Sequence, residues 1–189
     1  MSSNELVPGS LGAVARRDRM SIAQMFMDAD EIILVDTSGS MMTLDSTGGL
    51  SRYDVACQEL RKLQRDLSGK LAIFSFSTTC VFCPSGVPTM LRHDTNLLGA
   101  LQYVIGADGC VNYTIISDGY PDPGTDHEII QLVSTMMSRV NTVFAGPTED
   151  ERGRKFMDQL AHVGRGKSSL SAHAEDLSSA VKLLMEKTS

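Results

Sequence analysis

Two short apolar runs that lead straight into aspartates limit what this chain can fold into. Ile32-Ile33-Leu34-Val35 ends at Asp36, and the run from Val111 to Ile116 is followed closely by Asp118. An apolar run without polar alternation is how a strand reads when both of its faces are covered, as in the parallel sheet of an α/β protein. Helical patterns fall between such runs. Ser51 and Asp54 have capping-box spacing, and Ala56, Leu60, Leu63 and Leu67 then recur at helical intervals up to Gly69.

Leu71 to Phe76 reads as a second strand, and Cys80 to Met90, broken by Pro84 and Pro88, as an edge strand, where a missing ladder donor is tolerated. Asp94-Thr95 opens a helix carrying Leu97, Leu98, Leu101, Val104 and Ile105. Thr125 to Glu128 has a second capping-box spacing before Ile129, Ile130, Leu132, Val133 and Met136. Val140 to Ala145 is another strand, and Thr148 to Glu151 a third capping box ahead of Phe156, Met157, Leu160 and Val163. A short strand from Ser168 to Ser171 and a helix from about Glu175 to Glu186 follow. The alternation predicts an α/β fold: a doubly wound, Rossmann-like, mostly parallel sheet with helices on both faces.

Residues 1–29 read differently, as an N-terminal tail ahead of a domain spanning 30–189. Residues 1–15, rich in Ser, Gly and Ala with a Pro8-Gly9 turn signal, are expected to be flexible. Ser21 to Ala29 fits a short helix with Ile22, Met25 and Phe26 on one side. Met25-Phe26-Met27 and Met136-Met137 are assigned to packing.

With 189 residues, 42% of them hydrophobic and 21% charged, the chain suits one domain with one core. A net charge of −6 argues against general attraction to nucleic acid or to an anionic membrane. No run approaches the roughly 18 apolar residues of a membrane span, and the N-terminus lacks a signal-peptide pattern, so a cytoplasmic location is expected. There the four cysteines, Cys57, Cys80, Cys83 and Cys110, should be reduced and behave as small buried hydrophobes. Cys80 and Cys83 have zinc-knuckle spacing, but no second ligand pair follows.

The chemistry lies at the strand ends. In doubly wound sheets ligands bind beyond the carboxyl ends of the strands. If the strands ending at Asp36 and Asp118 are neighbours, two carboxylates face one another, and a hard cation allows both to stay ionised. Ser38 and Ser40 sit in a turn that Gly39 allows to bend sharply, so their hydroxyls can reach the same spot as Asp36, and Thr95 adds an oxygen from a second loop. An all-oxygen set suits Mg²⁺ or Mn²⁺ rather than zinc.

Asp36-Thr37-Ser38-Gly39-Ser40, Thr95 in Asp94-Thr95-Asn96-Leu97, and Asp118 in Ile116-Ser117-Asp118-Gly119 resemble, in order and spacing, the metal-ion-dependent adhesion site of von Willebrand factor A domains. The resemblance spans residues 31 to about 187. It implies strand order 3-2-1-4-5-6 with one antiparallel edge strand. It also implies direct metal contacts from Ser38 and Ser40, a direct or water-mediated one from Thr95, and contacts mainly through water from Asp36 and Asp118. One coordination position is left for a partner's Glu or Asp. The chain departs from the family pattern where His93 and Asp94 precede the threonine and where the loop from Met41 to Leu50 is long. Asp45, Asp94 and Asp122 are candidates for extra charge near the metal, or for loop acids and helix caps. Met41, Met42, Leu44 and Tyr120 are candidates for contact with a partner.

The function expected from this reading is a non-catalytic, metal-dependent protein-interaction module. By analogy with stand-alone intracellular relatives, its partner is an acidic loop on an AAA+ ATPase or another large assembly. A Mg²⁺-dependent hydrolase or phosphatase using Asp36 is the rival. Aspartate-based phosphatases carry a second Asp two residues later, however, and Ser38 stands there. RNA association is a third possibility, for which Arg16, Arg17 and Arg19 form the only basic cluster of note.

Overall fold

Strand β1 (Glu31–Asp36) is buried along its whole length, and its side chains divide between two cores. Ile32 and Leu34 enter one, Ile33 and Val35 the other, which is why the run lacks polar alternation. Each fully buried aliphatic side chain of this kind stabilises the fold by roughly 1.5–3 kcal/mol relative to an exposed one, so the strand that carries Asp36 is among the most firmly held elements. The computed structural model that shows this describes residues 6–45, 49–147 and 149–170.

β1 pairs in parallel with β2 (Leu71–Phe76) on one side and β4 (Asn112–Ser117) on the other. β3 (Cys80–Phe82) lies antiparallel on the outer edge of β2, while β5 (Val140–Phe144) and β6 (Arg165–Leu170) extend the sheet in parallel beyond β4. The resulting order, β3-β2-β1-β4-β5-β6, is the expected one. Val35 stands opposite Ile116, so Asp36 and Ser117-Asp118 leave adjacent strand ends at the same edge of the sheet.

Helices cover both faces. α3 (Arg52–Asp66) supplies Ala56, Leu60 and Leu63 to one core. α4 (Leu97–Val104), α5 (Asp126–Thr135) and α6 (Glu151–Val163) supply Leu97, Leu101, Ile129, Val133, Met157 and Leu160 to the other. The Ser51–Asp54 capping box is formed: Ser51 Oγ accepts from Asp54 N and the Asp54 side chain accepts from Ser51 N.

Several details differ from the sequence reading. The segment expected to be a flexible tail contains helix α1 (Leu11–Asp18), with Ser10 as its N-cap. Leu11, Val14 and Ala15 form an apolar stripe at helical spacing and are buried in the larger core. The chain ahead of the helix is pinned as well, because Gly69 N donates to Gly9 O and a Cβ on Gly9 would lie 1.9 Å from Gln64 O. α2 (Ile22–Met27) forms where expected, with a capping box between Ser21 and Gln24.

The edge strand stops at Phe82 rather than reaching Met90, because the chain turns at Pro84 to Gly86. Thr125 caps α5 only with its backbone, since its hydroxyl donates instead to Asp122 O. α6 is capped by Asp150, which accepts from Gly153 N. Thr148, Ser171 and the helix expected over 175–186 lie outside the described residues. Cys57 and Cys83 are buried, whereas Cys110 is exposed, and Met27 and Met137 point outward rather than into the core. Among the described residues no helix is long and apolar enough to cross a membrane.

Candidate metal site

Three loops meet at the carboxyl edge of the sheet, and backbone hydrogen bonds tie them together. The loop after β1 continues into a short 3₁₀ turn over Gly39–Met42. Gly39 N donates to His93 O and Arg92 N to Thr37 O, which fastens this loop to the one ahead of α4. Arg92 takes a left-handed conformation, φ 62°, to make that contact. Thr37 anchors the base from the other side, its amide and its hydroxyl both donating to Phe76 O. His93 and Asp94 therefore sit in a loop whose backbone is tied at Arg92 and His93 and, through Asn96 N to Ser77 O, at its other end.

Within this frame Asp36 is fully buried. Its Oδ1 accepts from Ser38 N at 2.8 Å and its Oδ2 from Ser117 Oγ at 2.7 Å. Each carboxylate oxygen can accept a further bond. Burial, and after it the charge of Asp118, pushes the Asp36 carboxyl up to about 6, against the hydrogen bonds from Ser117 and Ser38. Ser38 Oγ and Ser40 Oγ lie 3.1 Å apart. Thr95 is nearly buried and is held by a reciprocal clip: its N donates to Asp122 Oδ1 at 2.9 Å, and Asp122 N donates to Thr95 O at 3.0 Å.

Asp118 opens the third loop. Gly119 follows it at φ 83°, a conformation that favours glycine, and a Cβ there would come within 2.4 Å of Gly153 O. The first turn of α6 thus packs directly against the Asp118-Gly119 turn. Asp118 Oδ2 accepts from Arg52 Nη1 at 3.1 Å, while its Oδ1 is buried with no hydrogen-bond partner among the described residues.

The donor chemistry fits a hard divalent cation. A buried carboxylate oxygen without a partner costs roughly 1–3 kcal/mol or more, and a metal ion or its bound water would satisfy Asp118 Oδ1. Ser38, Ser40 and Thr95 add neutral oxygens, and oxygen-only sets are the preference of Mg²⁺ and Mn²⁺. Among the described residues no three His, Cys, Asp or Glu side chains are grouped to hold a metal, so such a site depends on its hydroxyls.

The candidate contact residues separate. Met41 is fully buried beneath the 3₁₀ turn, which corrects its assignment to a partner-facing role: the turn folds it under the loop. Met42 is half-buried, Leu44 is 69% exposed and Tyr120 is 40% exposed. Tyr120 OH donates to Asp150 Oδ1, and the Arg152 guanidinium lies 5.7 Å from its ring centre. Beside it runs a groove of about 550 Å³ between α5 and α6, lined by Tyr120, Pro121, His127, Ile130, Arg152 and Phe156. Asp45 is engaged by Arg52 and Asp94 is exposed.

Two contributors were not picked out from the sequence, Ser117 and Arg52, and Asp122, named there as a candidate acid near the metal, instead clips Thr95. Ser117 and Asp122 flank the Asp118 motif, yet nothing in their spacing tells a clip from a loop residue. Arg52 did carry a signal. It is the first residue of α3, and a cation at the positive end of a helix is unfavourable unless anions meet it.

The sequence matches no protein-family profile and no curated protein. The fold has solved counterparts. An aerotolerance-related membrane protein from Bacteroides fragilis, carrying multiple mutations to serine, superposes with a TM-score of 0.64 at 15% identity, over 82% of this chain and 98% of that one. BatB, a conserved hypothetical protein from Bacteroides thetaiotaomicron, gives 0.61 at 14% identity over 84% and 100%. The PilB minor pilin of Streptococcus sanguinis gives 0.60 at 13% identity, and this chain spans 60% of that structure. At these identities the likeness is one of fold, a Rossmann-like α/β sheet with helices on both faces.

Proposed function

We propose that the chain is a non-catalytic protein-interaction module of the adhesion-site type, in which Asp36, Ser38, Ser40, Thr95 and Asp118 hold one Mg²⁺ or Mn²⁺. When bound, the ion supplies a Lewis-acidic position for a Glu or Asp side chain of a partner protein. The observation that carries this reading is the buried Asp118 Oδ1, without a hydrogen-bond partner among the described residues, at a sheet edge where another buried carboxylate and two adjoining hydroxyls are held by interlocked loops.

The protein supplies rigidity and charge. Ser117 and the Ser38 amide fix the Asp36 carboxylate, the Asp122 clip fixes Thr95, and Gly119 lets the third loop lie close against α6. Leu44, Met42 and Tyr120 border the site and give a partner apolar surface around its acidic group. A catalytic role is disfavoured because Asp36 has no exposed surface and both of its oxygens accept hydrogen bonds, which leaves it a poor nucleophile. The proposed partner is an acidic surface of a large intracellular assembly, such as an AAA+ ATPase.

Affinity capture from native extract, with Mg²⁺ and with EDTA, tests the reading, with Ser38→Ala/Ser40→Ala as control. Partners should be retained only by the intact, metal-supplied chain. Retention of the same proteins in EDTA and by the double variant would remove the adhesion mechanism.

A further inference from the structure

Arg52 is placed where a simple adhesion site needs no cation. Its side chain is 11% exposed and divides its donors between two acids. Nη1 donates to Asp118 Oδ2, whereas Nε and Nη2 take Asp45 in a two-point fork, with Nη2 2.5 Å from Asp45 Oδ2. Asp118 is 2% exposed and Asp45 34%, so the guanidinium bridges from the buried floor of the site to the loop after the 3₁₀ turn. Two further contacts fix its backbone. The Ser51–Asp54 box sets the start of α3, and Arg52 N donates to Thr43 O. Arg52 therefore joins the same loop through its main chain and its side chain.

The charges give this bridge a sign. Asp36 and Asp118 bring two negative charges to the site, and Arg52 already offsets one of them before any divalent ion arrives. A fixed positive charge in hydrogen-bond contact with a metal-binding carboxylate weakens that carboxylate's attraction for a second cation. Asp45 acts in the opposite sense, because its carboxylate draws guanidinium charge away from Asp118. Resting on the metal-site reading above, we infer that Arg52 is a positioning and affinity-setting residue: it orients Asp118 through Oδ2, leaves Oδ1 free, and sets divalent-ion affinity according to how firmly Asp45 holds it. By linkage, whatever engages Asp45 changes metal affinity, and metal occupancy changes the hold on the Asp45 loop by the same factor. A partner that covers the loop with a basic group would compete for Asp45 and loosen the ion. One that presents only an acid would leave the bridge intact.

The test is calorimetric titration of the full chain with MnCl₂ at fixed pH and ionic strength, comparing wild type, Arg52→Gln, Asp45→Asn and Asp118→Asn. Arg52→Gln should bind Mn²⁺ on the order of tenfold more tightly, the lower end of what one neighbouring charge does to an ionic equilibrium. Asp45→Asn should bind it severalfold more weakly, and Asp118→Asn ~100-fold or more weakly. Asp45 lies on a surface loop, so its variant tests the coupling even if Arg52→Gln folds poorly. Wild-type binding with Arg52→Gln unchanged or weaker, or with Asp45→Asn unchanged, would overturn the role given to Arg52 and leave the metal site standing. Absence of Mn²⁺ uptake in both wild type and Arg52→Gln would remove the metal site and this inference together.

Discussion

Strand β1 carries a buried acid at each end, and the two are built differently. Glu31, at the amino end, accepts from Thr114 Oγ1 at 2.6 Å, is hydrogen-bonded by Asn141, and is pushed up to about 7, chiefly by burial. Asp36, at the carboxyl end, is equally buried but stands near a second buried carboxylate, among loops rather than strands. Glu31 accepts from neutral donors on the sheet, feels the opposing charges of Arg139 and Asp30, and can shed its own charge by taking a proton. At the other end Asp118 has an oxygen without a partner among the described residues, and the Ser117 and Ser38 hydroxyls stand beside Asp36. A buried acid sealed by strand residues reads as part of the packing, whereas paired acids beneath interlocked loops are what the proposed cation site requires.

The contrast breaks most sharply in metal binding. Asp118→Asn should lower Mn²⁺ affinity by ~100-fold or more, the upper range seen when groups that organise a metal site are removed, while Glu31→Gln should leave it unchanged. A paramagnetic titration followed by NMR reads both. Equal losses would mean that the two acids are not distinct in kind.

The second way to sharpen it is pH. Glu31 has a folded value near 7 against an ordinary 4.5, so between these the folded chain binds more protons than the unfolded one. Stability is then fullest below pH 4.5 and declines as pH rises to about 7. Summed over that window the loss is about 2–3 kcal/mol. Glu31→Gln should remove this slope in chemical denaturation measured across pH 4.5–8, and retention of the full slope would shift its origin elsewhere.

A third test compares metal-loaded and metal-free protein. Mg²⁺ at a hundred times its dissociation constant should add about 2.7 kcal/mol, and for a domain of this size raise Tm by roughly 5–10 °C. Ser38→Ala/Ser40→Ala should show no such shift, and Glu31→Gln should keep it. The smallest effect belongs to Asp122→Ala. Losing the clip on Thr95 should cost about 1 kcal/mol of stability and weaken Mn²⁺ binding severalfold.

The sheet was legible in the sequence because its inner strands are apolar on both faces, so Ile32 to Val35 and Leu71 to Phe76 could be read without knowing their neighbours. The placing of Asp36 and Asp118 at adjacent strand ends was legible because each follows an apolar run, in β1 and β4, while Ser38 and Ser40 fall in the loop after β1 and Thr95 in the loop ahead of α4. Helix α1 was hidden by composition. Ser10 and Gly12 look like linker residues, yet one caps the helix and the other lets it approach Pro84 O. Met41 was misplaced because chain position beside the site does not reveal which side chain a 3₁₀ turn folds underneath. The Asp122 clip and the Arg52 bridge join residues 27 and 66 positions apart, a relation that local spacing does not encode.

The central claim is that oxygens from three loops surround one divalent cation at the carboxyl end of β1. Crystals grown in MnCl₂ and measured at the manganese absorption edge test it most directly. The account predicts an anomalous peak bounded by Asp36, Ser38, Ser40, Thr95 and Asp118, and no peak at Glu31. A map with manganese only elsewhere, and with Arg52 still closed on an otherwise unoccupied Asp118, would contradict it.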